Sequence, residues 1–157
     1  MDDVRKLQAA LAPIATRAKG LAWAKKRPWT VVSHVGWSAG APTIDLHDLN
    51  AKLAKSTAET LIRVAPELKS GAVFLVVGRG KHSRGSPVLG KVVRATLKPG
   101  CDTHGWSLRS PSASRIALIL DRSKAPASAT GALGWGFWLW MLLVALAAGV
   151  ALLQTFA

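Results

Sequence analysis

Charge and apolarity occupy separate parts of this chain. All 29 charged residues, 21 basic and 8 acidic, lie before Ala125. The formal net charge is +13, yet the mean hydropathy is positive at +0.25, because residues 125–157 carry no charge and are rich in Leu, Ala and Trp. This segregation excludes a simple soluble globule, and it excludes a disordered basic polypeptide as a description of the whole chain.

The uncharged end of the chain predicts a membrane anchor. Residues 133–153 form an apolar run close to the roughly 20 residues that a helix needs to cross a bilayer. Three tryptophans crowd the start of this run, where aromatic side chains sit at the headgroup level. Basic residues precede the run, so the positive-inside bias predicts that the head stays in the cytoplasm. The alternative, a buried core helix, is disfavoured because a domain this small would have to surround it.

We therefore expect residues 131–157 to span the lipid bilayer once as a tail anchor, after a linker at residues 123–130. Residues 1–41 form a basic, Trp-containing N-terminal extension with two interpretations. One is an amphipathic stretch that contacts anionic lipid through residues 1–40. The other is a helix packed on the main domain, followed by a linker.

Residues 42–122 alternate strand-like and helix-like patterns. Short strands are predicted at residues 43–47, 72–77 and 115–120. One helix is predicted after Asn50, a favourable N-cap, and a second from Pro87 to the Pro99–Gly100 pair. The order βαβαβ predicts a small two-layer α/β sandwich with a mostly parallel sheet, followed by the C-terminal transmembrane helix.

Two polar clusters follow the first two predicted strands. Asp45, His47 and Asp48 end the first strand, and a glycine-rich loop at residues 78–85 follows the second. Ligands of open α/β sheets bind beyond the carboxyl ends of the strands, so the clusters face each other if the two strands are neighbours. The loop glycines allow backbone N–H groups to approach a phosphate closely. Six basic residues and no acid lie from Arg79 to Lys98, as expected for contact with a nucleic-acid backbone.

Taken together, the two clusters resemble the Smr (small MutS-related) domain family. That family has a Leu-Asp-x-His-Gly motif on its first strand and a Thr-Gly-x-Gly loop, often continuing x-His-Ser, after the second. This chain has Ile-Asp-Leu-His-Asp at residues 44–48 and Val-Gly-Arg-Gly-Lys-His-Ser at residues 77–83. The resemblance covers about residues 43–121 and implies a small α/β sandwich similar to the C-terminal domain of a translation initiation factor. It also implies nucleic-acid binding, with nicking of DNA or cleavage of RNA in many members.

The residues suggest how such cleavage would work. Two histidines can share the acid and base roles in cutting RNA through its 2′-hydroxyl at neutral pH, without a metal. The predicted catalytic residues are Asp45, His47 and His82, with Asp45 orienting the His47 ring. The predicted nucleic-acid-binding residues are Gly78, Arg79, Gly80, Lys81, Ser83, Arg84, Lys91 and Arg94. No cofactor or metal site is expected.

Three functions remain open at this stage. The first is a membrane-tethered endonuclease that cleaves RNA or nicks DNA on the cytosolic face. The second is a non-catalytic nucleic-acid-binding module, because Asp48 stands where the family has Gly and a carboxylate beside a phosphate is unfavourable. The third is a membrane-surface interaction protein. His34, His104 and Cys101 are interpreted as structural or incidental residues.

Overall fold

The computed structural model describes residues 2–21, 28–78 and 88–126. Its helices are α1 (Asp2–Ala18), α2 (Val31–His34), α3 (Ala51–Val64) and α4 (Val88–His104), with a short 3₁₀ turn at Ala65–Glu67. Its strands are β1 (Val35–Ser38), β2 (Ala41–Asp45), β3 (Ala72–Val76), β4 (Ser107–Ser112) and β5 (Arg115–Ile119).

The five strands form one mixed sheet in the order β1-β2-β3-β5-β4. Only β2 and β3 pair in parallel; the other three pairs are antiparallel. The chain is an α/β fold, but the predicted mostly parallel sheet is wrong. The unit β3-α4-β4 is a crossover that leaves β4 running in the direction of β3, and β5 then returns as a hairpin and inserts between them.

The helices cover one face of this sheet. Residues that alternate along the strands, among them Ile44, Leu75 and Leu118, share one buried cluster with Leu61 of α3 and Leu97 of α4. The opposite face carries a smaller cluster of Ala41, Ala72, Phe74, Ala117 and Ile119, against which Ala125 packs. The alternation follows from the period of two in a strand, and it gives a two-layer arrangement of sheet and helices.

Helix α1 belongs to the same core. Its buried apolar residues are Leu7, Leu11, Ile14 and Ala18. The carboxylate of Asp3 ties the first turn to the segment before β3: it accepts hydrogen bonds from the backbone N–H groups of Lys69 at 3.1 Å and Ser70 at 2.8 Å, and from the Ser70 hydroxyl. Of the two interpretations of the extension, the structure supports the helix packed on the domain. The predicted lipid contact of residues 1–40 stays a prediction.

Burial and hydrogen bonding have opposite effects on the pKa of the Asp3 carboxyl. Burial raises the pKa of this carboxyl, but the hydrogen bonds from Ser70 and Lys69, with the nearby Lys6 charge, outweigh it. The pKa of Asp3 therefore lies below its ordinary value, and the charged form is the one that holds α1 in place.

Helices α3 and α4 differ in how well their ends were predicted. Asn50 caps α3 as expected, since its side-chain oxygen accepts the N–H of Leu53 at 2.9 Å. Helix α4 runs through Pro99 and Gly100, so the predicted end there is wrong. A Cβ at Gly100 would lie 3.0 Å from the Ile62 side chain, which shows that this glycine lets α4 approach α3 closely. Gly105, with a φ of +69°, follows the true end of the helix.

No helix within residues 2–21, 28–78 and 88–126 is long and apolar enough to cross a membrane. The predicted anchor at residues 131–157 lies outside the described residues, as does the second half of the predicted linker. The transmembrane segment and the membrane localisation therefore stay predictions.

Candidate functional site

The carboxyl ends of β2 and β3 meet at one edge of the sheet because these two strands are parallel neighbours. Asp45 pairs with Val76, and the N–H of Leu46 donates to the Val76 carbonyl at 2.8 Å. Gly78 has a φ of +71°, which favours glycine, and a Cβ there would lie 3.6 Å from the Cβ of His47. The structure thus brings the start of the second motif against the first.

Asp45 holds the imidazole of His47 in a defined orientation. The Oδ1 atom of Asp45 lies 2.6 Å from Nδ1 of His47, and it also accepts the backbone N–H of His47 at 3.1 Å. One carboxylate oxygen therefore contacts both the ring and the main chain of the same histidine. This geometry directs Nε2 of His47 away from Asp45, and the side chain of His47 is 46% exposed, so the ring is accessible from solvent.

Asp48 contacts the other nitrogen of the same ring. Its Oδ2 atom lies 3.0 Å from Nε2 of His47 and 3.5 Å from Nε2 of His34. A carboxylate only accepts hydrogen bonds, so His47 donates to Asp45 and Asp48 at once only when both ring nitrogens carry protons. Asp48 therefore contacts the ring nitrogen of His47 that Asp45 leaves unpaired.

Trp29 and His34 complete a polar cluster that we call the β2-edge cluster, made of Trp29, His34, Asp45, His47 and Asp48. Trp29 is 1% exposed, and its indole N–H donates to the Asp45 carbonyl at 2.7 Å. Its ring stacks on that of His34 with centroids 5.4 Å apart, and the His34 and His47 rings are 6.0 Å apart. A buried aromatic wall thus supports the imidazoles and the carboxylates.

The sequence did not predict Trp29 and His34 as site residues, because the pairing of β1 with β2 brings them to the site. Strand β1 is antiparallel to β2, with Val35 opposite Ile44, so the residues just before β1 arrive beside the residues just after β2. The turn between the strands contains Ala39 and Gly40, both with positive φ. Gly40 is a weak sequence signal for this hairpin turn, because it follows Ala39 and not the Asn, Asp or Gly that favours positive φ at the first turn position.

The remaining predicted residues divide into two groups. Arg79, Gly80, Lys81, His82, Ser83 and Arg84 lie outside the described residues, so their predicted roles stay predictions. Lys91 and Arg94 lie on the exposed side of α4, and Nη1 of Arg94 donates to the hydroxyl of Ser110 on β4 at 2.6 Å. Arg94 is therefore directed towards β4.

Within the described part of the chain, no group of three or more His, Cys, Asp and Glu side chains has the geometry of a metal site. Comparison of the chain with protein-family models, curated proteins and solved structures finds no match. The functional argument therefore depends on the β2-edge cluster itself and on the two motifs.

Proposed function

We propose that this protein is a nucleic-acid-binding endonuclease of the Smr type, in which His47 transfers a proton and Asp45 orients the His47 ring. The observation that carries the proposal is the 2.6 Å contact between Nδ1 of His47 and Asp45 at the carboxyl edge of the parallel strand pair, beside Gly78. A proton-transfer group needs a fixed orientation and access to substrate; Asp45 supplies the orientation, and the His47 side chain is partly exposed to solvent.

The chemistry suits RNA cleavage by transesterification. A base removes the proton of a 2′-hydroxyl, and the 2′-oxygen forms a bond to the adjacent phosphorus. The bond from phosphorus to the 5′-oxygen breaks, and an acid protonates that leaving oxygen. The products are a 2′,3′-cyclic phosphate and a 5′-hydroxyl, with no net proton consumed. His47 takes one of these two roles through Nε2, and His82 is the proposed partner for the other.

Asp48 decides between this function and a second one. Its carboxylate lies 3.0 Å from Nε2 of His47, the atom that cleavage requires, and its negative charge opposes a phosphate at the same place. A substrate must therefore displace Asp48 before His47 can act. This observation favours, as the second candidate, a module that binds nucleic acid without cutting it.

The proposed function is tested with the full-length chain in a mild non-ionic detergent. Wild type, His47→Ala and Asp48→Gly are incubated with labelled single-stranded RNA and DNA, with and without EDTA, and Glu59→Gln on the exposed side of α3 is the charge control. We expect wild type or Asp48→Gly to cut RNA, His47→Ala to cut none, and EDTA to have little effect. If wild type and Asp48→Gly bind but cut neither polymer, the protein is a binding module.

Action at the cytosolic face of a membrane is a separate part of the proposal. It depends on residues 131–157, whose uncharged sequence is its support. The full-length protein should resist extraction from membranes by alkaline carbonate. Complete release by carbonate would remove the anchor and leave the proposed chemistry standing.

A further inference from the structure

A groove lies between α4 and β4, away from the β2-edge cluster. Its volume is about 380 Å³, within the range of ligand pockets, and we call it the α4–β4 groove. Its lining includes Arg94, Lys98, Cys101, Asp102, Trp106 and Leu108. Cys101 is buried, and this burial, followed by the nearby Asp102 carboxylate, raises the pKa of its thiol. The thiol is therefore part of the wall and not a nucleophile.

Two cations of the groove lining, Arg94 and Lys98, continue along α4 towards its start as a row with Lys91. Lys91, Arg94 and Lys98 stand at positions i, i+3 and i+7 of α4, which places them within about 60° of the helix circumference. All three are exposed. Asp102 ends the row and lies 3.6 Å from the amine of Lys98. The row carries three positive charges against this one carboxylate, so it attracts a chain of phosphates.

An aromatic side chain, Trp106, forms part of the wall of the groove. Trp106 lines the groove, packs against the core cluster and is only partly buried. The His104 ring stacks on the indole, with centroids 4.3 Å apart and an interplanar angle of 19°. The backbone N–H of Trp106 donates to the Cys101 carbonyl at 3.1 Å. The indole therefore contacts both the His104 ring and the core, and it also forms part of the groove wall.

We propose that the α4–β4 groove binds single-stranded nucleic acid, with phosphates along Lys91, Arg94 and Lys98 and a base stacked against Trp106. This inference rests on the proposed nucleic-acid-binding function, and it adds that the bound nucleic acid is single-stranded. In a duplex each base is stacked and paired with other bases, so an aromatic wall serves only an unpaired base. Cations that follow the backbone together with an aromatic platform are the combination that single-strand binding uses.

Helix α4 connects the groove to the candidate site. Its first turn lies near the carboxyl end of β3, because a Cβ at Gly90 would lie 3.7 Å from Val77. From there the row of cations descends about 10 Å from Lys91 to Lys98, at 1.5 Å per residue. The row therefore runs between the end of the sheet where β3 stops and the part of the groove lined by Trp106.

The test measures the affinity of the full-length chain for a fluorescein-labelled 12-nucleotide oligouridine and for an RNA hairpin of equal charge. We expect Trp106→Leu to weaken binding of the oligouridine by roughly five- to 140-fold, the equivalent of losing one stacked base, and to change hairpin binding far less. Trp106→Phe keeps a stacking ring and should restore most of the affinity. Thermal unfolding of each variant shows whether its fold is intact.

The cations are tested separately, so that the proposal does not depend on how well Trp106→Leu folds. Arg94→Gln and Lys98→Gln should each reduce the slope of log affinity against log salt by about 0.7 for a single strand, whereas Arg63→Gln on α3 should leave it unchanged. If wild type binds oligouridine and Arg94→Gln, Lys98→Gln and a folded Trp106→Leu bind it with the same affinity and slope as Arg63→Gln, the groove is not the binding track, although the proposed function survives. If wild type binds neither oligouridine nor hairpin, both proposals are wrong.

Discussion

The β2-edge cluster and the α4–β4 groove arrange their charges in opposite ways. In the β2-edge cluster, both ring nitrogens of His47 contact carboxylates, so the positive and negative groups satisfy each other. In the groove, three exposed cations follow one side of α4 and a single carboxylate stands at their end. The first arrangement suits the holding and release of one proton, and the second suits the binding of a long polyanion. We therefore propose that chemistry and recognition belong to two regions joined by α4.

The largest expected effect is on the chemistry alone. His47→Ala should lower the cleavage rate at saturating RNA by roughly 10² to 10⁴, because it removes a positioned proton-transfer group. Its affinity for RNA should stay close to that of wild type, since the groove is untouched. Single-turnover cleavage and fluorescence anisotropy on the same RNA measure the two quantities. An equal loss of rate and affinity would place recognition at the β2 edge, and it would contradict the separation of chemistry from recognition.

A smaller effect on the same rate is expected from the residue that orients His47. Asp45→Asn leaves a side chain that still accepts the backbone N–H of His47 but removes the charge opposite Nδ1. We expect a loss of roughly tenfold to 100-fold in rate, less than the full proton-transfer contribution. The profile of rate against pH should change in shape, whereas a merely structural role would lower the whole profile evenly.

Asp48→Gly should act in the opposite direction. It removes the carboxylate from Nε2 of His47, and we expect the cleavage rate to rise by about tenfold, the equivalent of about 1.4 kcal/mol of removed repulsion at the phosphate. Asp48→Asn keeps a side chain of the same size and removes its charge, so it shows whether the charge or the contact with His47 lowers the rate. A rate lower than wild type in both variants would mean that Asp48 takes part in the proton transfer.

Two glycines of α4 test how closely that helix packs on its neighbours. Gly90→Ala adds a Cβ in ordinary contact at 3.7 Å from Val77, so the better helix propensity of Ala should raise the free energy of unfolding by about 0.5–1 kcal/mol. Gly100→Ala adds a Cβ at 3.0 Å from Ile62, and the overpacking should lower that free energy by about 1 kcal/mol. Denaturant titration of both variants measures the difference. Equal stabilisation by the two changes would show that α3 and α4 are not in close contact at Gly100.

Another effect on stability concerns α1, outside both regions. The pKa of Asp3 is below its value of about 3.9 in the unfolded chain, so its contribution to stability is complete above pH 3.9 and is lost as pH falls through the lower pKa of the folded state. Asp3→Asn should lower the free energy of unfolding by about 1 kcal/mol at pH 7. The deficit should shrink below pH 3.9, as measured by denaturant titrations at pH 7 and pH 2.5. A deficit that grows on acidification would contradict this assignment.

Local signals were sufficient to predict part of the fold. The apolar run at Ala72–Val76 and the Asn50 cap gave β3 and the start of α3, because burial on both faces and capping are properties of adjacent residues. The edge strands β1 and β4 were missed. Strand β4 is Ser-Leu-Arg-Ser-Pro-Ser, mostly exposed and with a proline, so it has neither the alternation nor the composition of a strand. Without these strands the sheet looked parallel.

The residues of the candidate site also divide into those that are close in sequence and those that non-local pairing brings together. Asp45 and His47 stand two residues apart on one strand end, so the sequence alone predicted that they would meet. Trp29, His34 and Trp106 reach their places only through the β1–β2 hairpin and the turn between α4 and β4. Non-local pairings of this kind leave little trace in a single sequence.

Rate and affinity of His47→Ala, Trp106→Leu and Trp106→Phe on one single-stranded RNA test the claim that chemistry and recognition are separate. His47→Ala should lose the rate at saturation and keep the affinity. Trp106→Leu should lose affinity and keep the rate at saturation, with Trp106→Phe close to wild type in both. The claim is contradicted if Trp106→Leu lowers the saturated rate as much as His47→Ala does while its affinity is unchanged.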